Sequence, residues 1–86
     1  MLKITSNEVD ESLVTMILEG RIVAEWGMLL EQECKRYQRH ERRIMLQCDD
    51  VTYVDASGSA MLQRLQSQGV EIRGCSALID SLIKRM

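Results

Sequence analysis

The 86-residue chain has no proline and no phenylalanine, and its aromatic residues are two tyrosines and one tryptophan. Without proline, a proline-rich linker is excluded, and with so few rings any core must be built from aliphatic and methionine side chains. No run approaches the roughly 18 apolar residues that a membrane-spanning helix needs. The opening residues, Met1 to Glu8, lack the apolar stretch of a signal peptide. The three cysteines, Cys34, Cys48 and Cys75, are too widely spaced for a CxxC pair, a zinc pattern or a secreted disulfide ladder. Reduced thiols in a cytoplasmic protein are therefore expected, with no intramolecular disulfide, since the cysteines fall on separate elements. A net charge of −2 lacks the basic excess that favours nucleic acid. What remains is a small globular composition without repeats or linkers, and a single domain is expected over residues 1–86.

The apolar pattern changes period along that domain. Leu2 to Thr5 is a short β-prone run, and Ser6 to Ser12 reads as a polar loop. Leu13 to Leu18 is β-rich and ends at Glu19-Gly20, so the short connection predicts an antiparallel hairpin. From Ala24 to Gln38 the spacing becomes three and four, with Trp26, Leu29, Leu30, Cys34 and Tyr37 as the apolar stripe of a helix. Ile44 to Cys48 reads as a buried central strand stopped by Asp49-Asp50, followed by a second β-prone patch, Val51 to Val54. Asp55-Ala56-Ser57-Gly58 opens a helix with Ala60, Met61, Leu62 and Leu65 inward, and Gly69 ends it. Val70 to Arg73 alternates as a strand near an edge. A final helix is expected after Ser76, with Leu78, Ile79, Leu82, Ile83 and Met86 on its apolar face. The order is β-β-α-β-α-β-α, and the repeated strand–helix–strand units imply parallel neighbours with right-handed crossovers. The expected shared core is Leu46, Val54, Leu62, Leu65, Ile72, Leu78 and Leu82, completed by Val14, Met16 or Ile17.

Catalytic chemistry finds little to stand on. The one histidine, His40, lies in the junction Arg39-His40-Glu41-Arg42-Arg43 and reads as a solvated loop residue. No phosphate-binding glycine motif is present. Asp49, Asp50 and Asp55 sit where turn formers and caps usually sit. No catalytic residue, metal ligand or cofactor is assigned, and an enzyme is not expected. Lys35, Arg36, Arg39, Arg42 and Arg43 gather at one helix end, while Gln47 to Gln63 carries acids and no base; this is either a solvated face or a field that orients a charged partner. Asp55-Ala56-Ser57-Gly58 is more informative. At a helix start the N–H groups lack intrahelical partners and the dipole is positive, so a phosphate on a serine there meets favourable donors.

These segments resemble a known family. Leu18-Glu19-Gly20-Arg21-Ile22, Ile44 to Asp50, Val51-Thr52-Tyr53-Val54-Asp55-Ala56-Ser57-Gly58, and Gly69-Val70-Glu71-Ile72-Arg73-Gly74-Cys75 are similar to STAS domains. Those are the domains of bacterial anti-sigma factor antagonists and of sulfate-transporter tails. The most specific part runs from Val51 to Gly58, close to the family's hydrophobic-Asp-Ser-Ser-Gly pattern. The resemblance implies an α/β fold with a small mixed sheet flanked by helices. It also implies a protein partner, often an anti-sigma kinase that phosphorylates the second serine of the pattern and so switches binding off. Ser57 occupies that position and is the candidate phosphoacceptor. The candidate partner-binding residues are Asp50, Tyr53, Asp55, Ser57, Gly58 and Ser59. Val23 and Gln47 stand where the family usually carries aspartate, and Ser59-Ala60 where it prefers Leu-Gly. The extra terminal strand and helix of longer members are expected to be missing. Short members also serve as accessory subunits of lipid-transporting ABC systems, so the alternative partner is a transporter ATPase. Neither reading requires nucleic acid or membrane insertion, and both accommodate a homodimer.

Overall fold

A computed structural model of the chain describes residues 2–77 and residue 81. Its elements are β1 (Leu2–Glu8), β2 (Leu13–Ile22), α1 (Ala24–Gln38), β3 (Arg43–Val54), α2 (Ala56–Ser67) and β4 (Glu71–Arg73). The sheet order is β1-β2-β3-β4, with β1 antiparallel to β2, and β3 parallel to both β2 and β4. This is the mixed sheet that the sequence implies, and the element order agrees with it as far as β4. The expected final helix, with Leu78, Ile79, Leu82, Ile83 and Met86, lies outside the described residues.

Both crossovers step the same way across the sheet, and right-handed connections then place α1 and α2 on one face. Val14, Met16, Leu18 and Ile22 of β2 and Ile44, Leu46, Cys48, Val51 and Val54 of β3 form the floor of the core. Leu30, Cys34 and Tyr37 of α1 and Met61, Leu62 and Leu65 of α2 close it from above. Ile72 packs partly buried against this cluster. Ile17 does not join it: alternating with buried Met16 and Leu18, it points to the other face and is 39% exposed.

Three boundaries differ from the sequence reading. β1 continues through Ser6, Asn7 and Glu8, which pair with Met16, Thr15 and Val14. The loop therefore shrinks to four residues, Val9 to Ser12. The Asp10 carboxylate organises it, accepting from the Ser12 N–H at 2.7 Å, the Ser12 hydroxyl at 2.8 Å and the Leu13 N–H at 2.9 Å. β2 likewise runs beyond Glu19-Gly20 to Ile22.

Asp49-Asp50 does not stop the central strand. β3 passes through both, and the patch Val51 to Val54 is its second half. The register shows how. Ile17 pairs with Gln47 but Glu19 pairs with Asp50, and Gly20 pairs with Val51 but Arg21 pairs with Tyr53. At each shift β3 carries one more residue than β2, as in a β-bulge. Inward positions on β3 accordingly fall at Ile44, Leu46, Cys48, Val51 and Val54, with a period of two before the acids and three after them. Gly20 takes a φ of 108° beside the second shift, and the Thr52 hydroxyl donates to its carbonyl at 3.2 Å.

α1 spans the expected residues, but its buried stripe is Gly27, Leu30, Cys34 and Tyr37. Trp26 is only partly buried, and Leu29, expected on the apolar stripe, is 46% exposed. The stripe starts on a glycine that faces α2, where a β-carbon would be 3.9 Å from the Gly58 Cα, an ordinary contact distance. Further along, the Arg64 guanidinium meets Glu31 at 3.2 Å and Gln38 donates to Gln68 at 3.4 Å. The two helices thus run side by side in the same direction, and both begin at the same end of the sheet.

Candidate functional site

Parallel strands followed by helices gather helix N-termini at the carboxyl ends of the strands, where open α/β sheets place their binding crevices. Here those ends are Ile22 and Val54. Val23, the residue before α1, makes no side-chain cap, whereas Asp55 caps α2. One Asp55 oxygen, Oδ1, accepts from the Gly58 N–H at 2.6 Å. The other, Oδ2, accepts from the Ala24 N–H at 3.0 Å. The Asp55 N–H donates to the Ile22 carbonyl at 3.2 Å. One carboxylate therefore caps its own helix and satisfies a donor at the start of the neighbouring one. Ala24 has a φ of 45°, a conformation costly for a residue with a β-carbon, and this bond helps hold it.

Gly58 is buried beneath this junction. A β-carbon there would stand 2.6 Å from the Ile22 carbonyl oxygen, so only glycine lets α2 begin so near the end of β2. Of the six expected partner-binding residues, Gly58 is therefore architectural. Ser57, one residue earlier, is exposed on the first turn of α2. Tyr53 is 49% exposed, and the Arg21 guanidinium lies over its ring, 5.4 Å from the centroid. Tyr53, Asp55 and Ser59 share a groove of about 400 Å³ with Val54, Ala56, Ala60 and Gln63. Asp50 does not line it; it is exposed beside Glu19 at the first register shift.

Sequence reasoning missed Ala56, Gln63 and Arg21, and it placed Ala60 inward with Met61, Leu62 and Leu65, whereas the buried stripe of α2 is Gly58, Met61, Leu62 and Leu65 and Ala60 is exposed along the groove. Ala56 and Ala60 are four apart and leave room beside the helix, a helical-spacing signal of small residues. Arg21 gives no signal until the register sets it opposite Tyr53.

The basic residues at the far end of α1 are largely engaged. Arg42 pairs with Glu8, Arg43 with Glu71 at 3.2 Å, and Arg36 with Glu33 at 3.8 Å. Arg36 and Arg42 also lie over the Tyr37 ring. His40 is exposed in the following turn, as its sequence context implies.

None of the three cysteines is in a disulfide in this structure. Cys34 is fully buried with its Sγ 4.0 Å from the Met16 Sδ. Burial, reinforced by Glu31 and Glu33, pushes its pKa up to about 12. Burial also raises Cys48, with smaller contributions from Cys75, whose thiol is within hydrogen-bonding reach of it, and from Asp49. Cys48 on β3 and Cys75 after β4 thus fall on separate segments, as expected, but the sheet brings their thiols together. Among the described residues no helix is long and apolar enough to cross a membrane.

No family model and no curated protein sequence matches the chain. Solved structures do. The chain is similar to the anti-sigma factor antagonist SpoIIAA in its unphosphorylated form, with a TM-score of 0.74 at 11% identity, covering 95% of this chain and 78% of that one. It is also similar to a crystal structure of Mglu, with a TM-score of 0.62 at 19% identity, over 80% of this chain but only 18% of that one. The chain has the fold of the anti-sigma factor antagonist, the STAS fold that the segments around Val51 to Gly58 suggest.

Proposed function

We propose that the chain is a protein-interaction module of the anti-sigma factor antagonist type, which docks its partner over the start of α2 and the adjoining groove. Ser57 is its phosphoacceptor, and the partner is an anti-sigma factor with kinase activity. The observation that carries this reading is the division of labour on the first turn of α2. Asp55 supplies the cap, so the exposed Ser57 hydroxyl can change its chemical state while the helix stays formed. Similarity in fold to an anti-sigma factor antagonist supports the same reading.

A phosphate at Ser57 would add about −1.5 to −2 charge and three acceptor oxygens. At a helix N-terminus the dipole favours that charge, so the modification acts on the surface rather than on the fold. The added charge would stand beside Asp55 and the Tyr53 groove and repel a partner face set against those groups.

Amide chemical-shift mapping tests the docking surface. Titration with the co-purifying partner should perturb Tyr53 to Ser59 and the adjacent face of α2. Perturbations confined to Lys35 through Arg43 would place the interface at the opposite end.

A further inference from the structure

We propose that Cys48 and Cys75 form a dithiol that closes reversibly to a disulfide when it meets a small-molecule disulfide such as oxidised glutathione. Two positions put the thiols together. Parallel pairing of β3 with β4 ends at Gln47 opposite Arg73, which brings Cys48 next to the turn that follows β4. In that turn Gly74 has a φ of 75°, and a β-carbon on it would lie 2.3 Å from the Asp49 carboxylate. Residue 74 thus stands on the outer face with Asp49. Cys75 returns to the inner face, where it packs against the core cluster that contains Cys48. There the two thiols are within hydrogen-bonding reach of each other.

Their unequal exposure sets the order of events. Cys48 is 2% exposed, while Cys75 is half-buried and accessible. The Cys75 thiolate attacks one sulfur of oxidised glutathione; that S–S bond breaks, a mixed disulfide forms and one glutathione thiolate leaves. Cys48 then attacks the Cys75 sulfur, its proton passing to the departing second glutathione. Two protein thiols are oxidised and one small disulfide is reduced to two thiols. Cys34 takes no part, being enclosed between α1 and β2 against Met16.

The bond would anchor the exit of β4, a strand of three residues, to the centre of the sheet. The loop it closes contains all of α2. By restricting the unfolded chain it should raise the denaturation midpoint of the oxidised form.

Reduced protein, freed of reductant, is exposed to oxidised glutathione, quenched in acid, alkylated and mapped by mass spectrometry. The expected result is a fall from three titratable thiols to one, with the Cys48 and Cys75 peptides joined and Cys34 alkylated. Dithiothreitol should restore all three. Cys34→Ala should close as the parent does, and Cys75→Ala should form no intramolecular bond. A product that stops as a glutathione adduct on Cys75, or one in which Cys34 is bridged, would overturn the proposal. The mapping uses the parent chain, so it does not depend on the folding of any variant.

Discussion

The carboxylate of Asp55 accepts the N–H of Ala24 at 3.0 Å across 31 residues of sequence, while its other oxygen caps α2 through Gly58. Two helix starts therefore depend on one side chain. The stabilisation is local to the pole where the candidate interface lies. Asp55→Ala should cost about 2–3 kcal/mol, a helix cap together with a second charge-assisted hydrogen bond. Asp55→Asn keeps one acceptor oxygen and should lose roughly half of that. Urea denaturation of the three proteins checks the ranking, and equal midpoints for Asp55→Asn and the parent would show that the Ala24 contact contributes nothing.

The two glycines at the helix crossing should respond in opposite ways. At Gly58 a methyl group would strike the Ile22 carbonyl oxygen at 2.6 Å, and Gly58→Ala should destabilise by about 1–3 kcal/mol through forced displacement. At Gly27 the nearest atoms, Met61 Cε, Ile22 Cγ2 and Gly58 Cα, are 3.7–3.9 Å away, ordinary contact distances. Gly27→Ala should therefore be neutral or stabilise by up to about 1 kcal/mol, because alanine is the better helix former. Thermal melts of the pair separate these outcomes.

Leu46 is fully buried on β3, which has paired strands on both sides. Leu46→Ala should cost about 2–5 kcal/mol, while Ile17→Ala on the outer face should cost markedly less. Comparable losses in denaturant midpoint would contradict the assigned faces of the sheet.

Asp10 gives the β1–β2 turn a defined pH response. The Ser12 hydroxyl and then the Ser12 N–H hold its pKa below the ordinary 3.8 against an opposing desolvation, with a lesser contribution from the Leu13 N–H. A carboxyl depressed in the folded state stabilises the fold above its unfolded pKa, and that contribution is lost as pH falls through the folded value. An NMR titration should therefore find Asp10 titrating below 3.8, with Ser12→Ala moving it upward.

How far the sequence could be read depended on the kind of signal each residue carried. The hairpin, both helices and the parallel pairs follow from period and turn chemistry. Asp49-Asp50 misled because a pair of acids reads as a stop, whereas two bulges carry the strand through with those residues turned outward. Leu29 misled because the buried stripe of α1 begins at Gly27, a position hydrophobicity does not mark, so the apparent face moves onto neighbouring residues. In the candidate site, Ser57 and Tyr53 were legible from the helix start and the family-like segment. The Asp55–Ala24 bond and the proximity of Cys48 to Cys75 were not, because each joins residues far apart in sequence through the sheet register.

The measurement that most directly tests the proposed docking surface is a paired titration of Ser57→Ala and Ser57→Asp against the co-purifying partner, after each variant is shown to be folded. Because Asp55 provides the cap, Ser57→Ala should bind within about twofold of the parent, whereas Ser57→Asp should bind about tenfold or more weakly through added negative charge at the contact. Parent-like affinity for both variants would contradict the assignment and move the interface away from the start of α2.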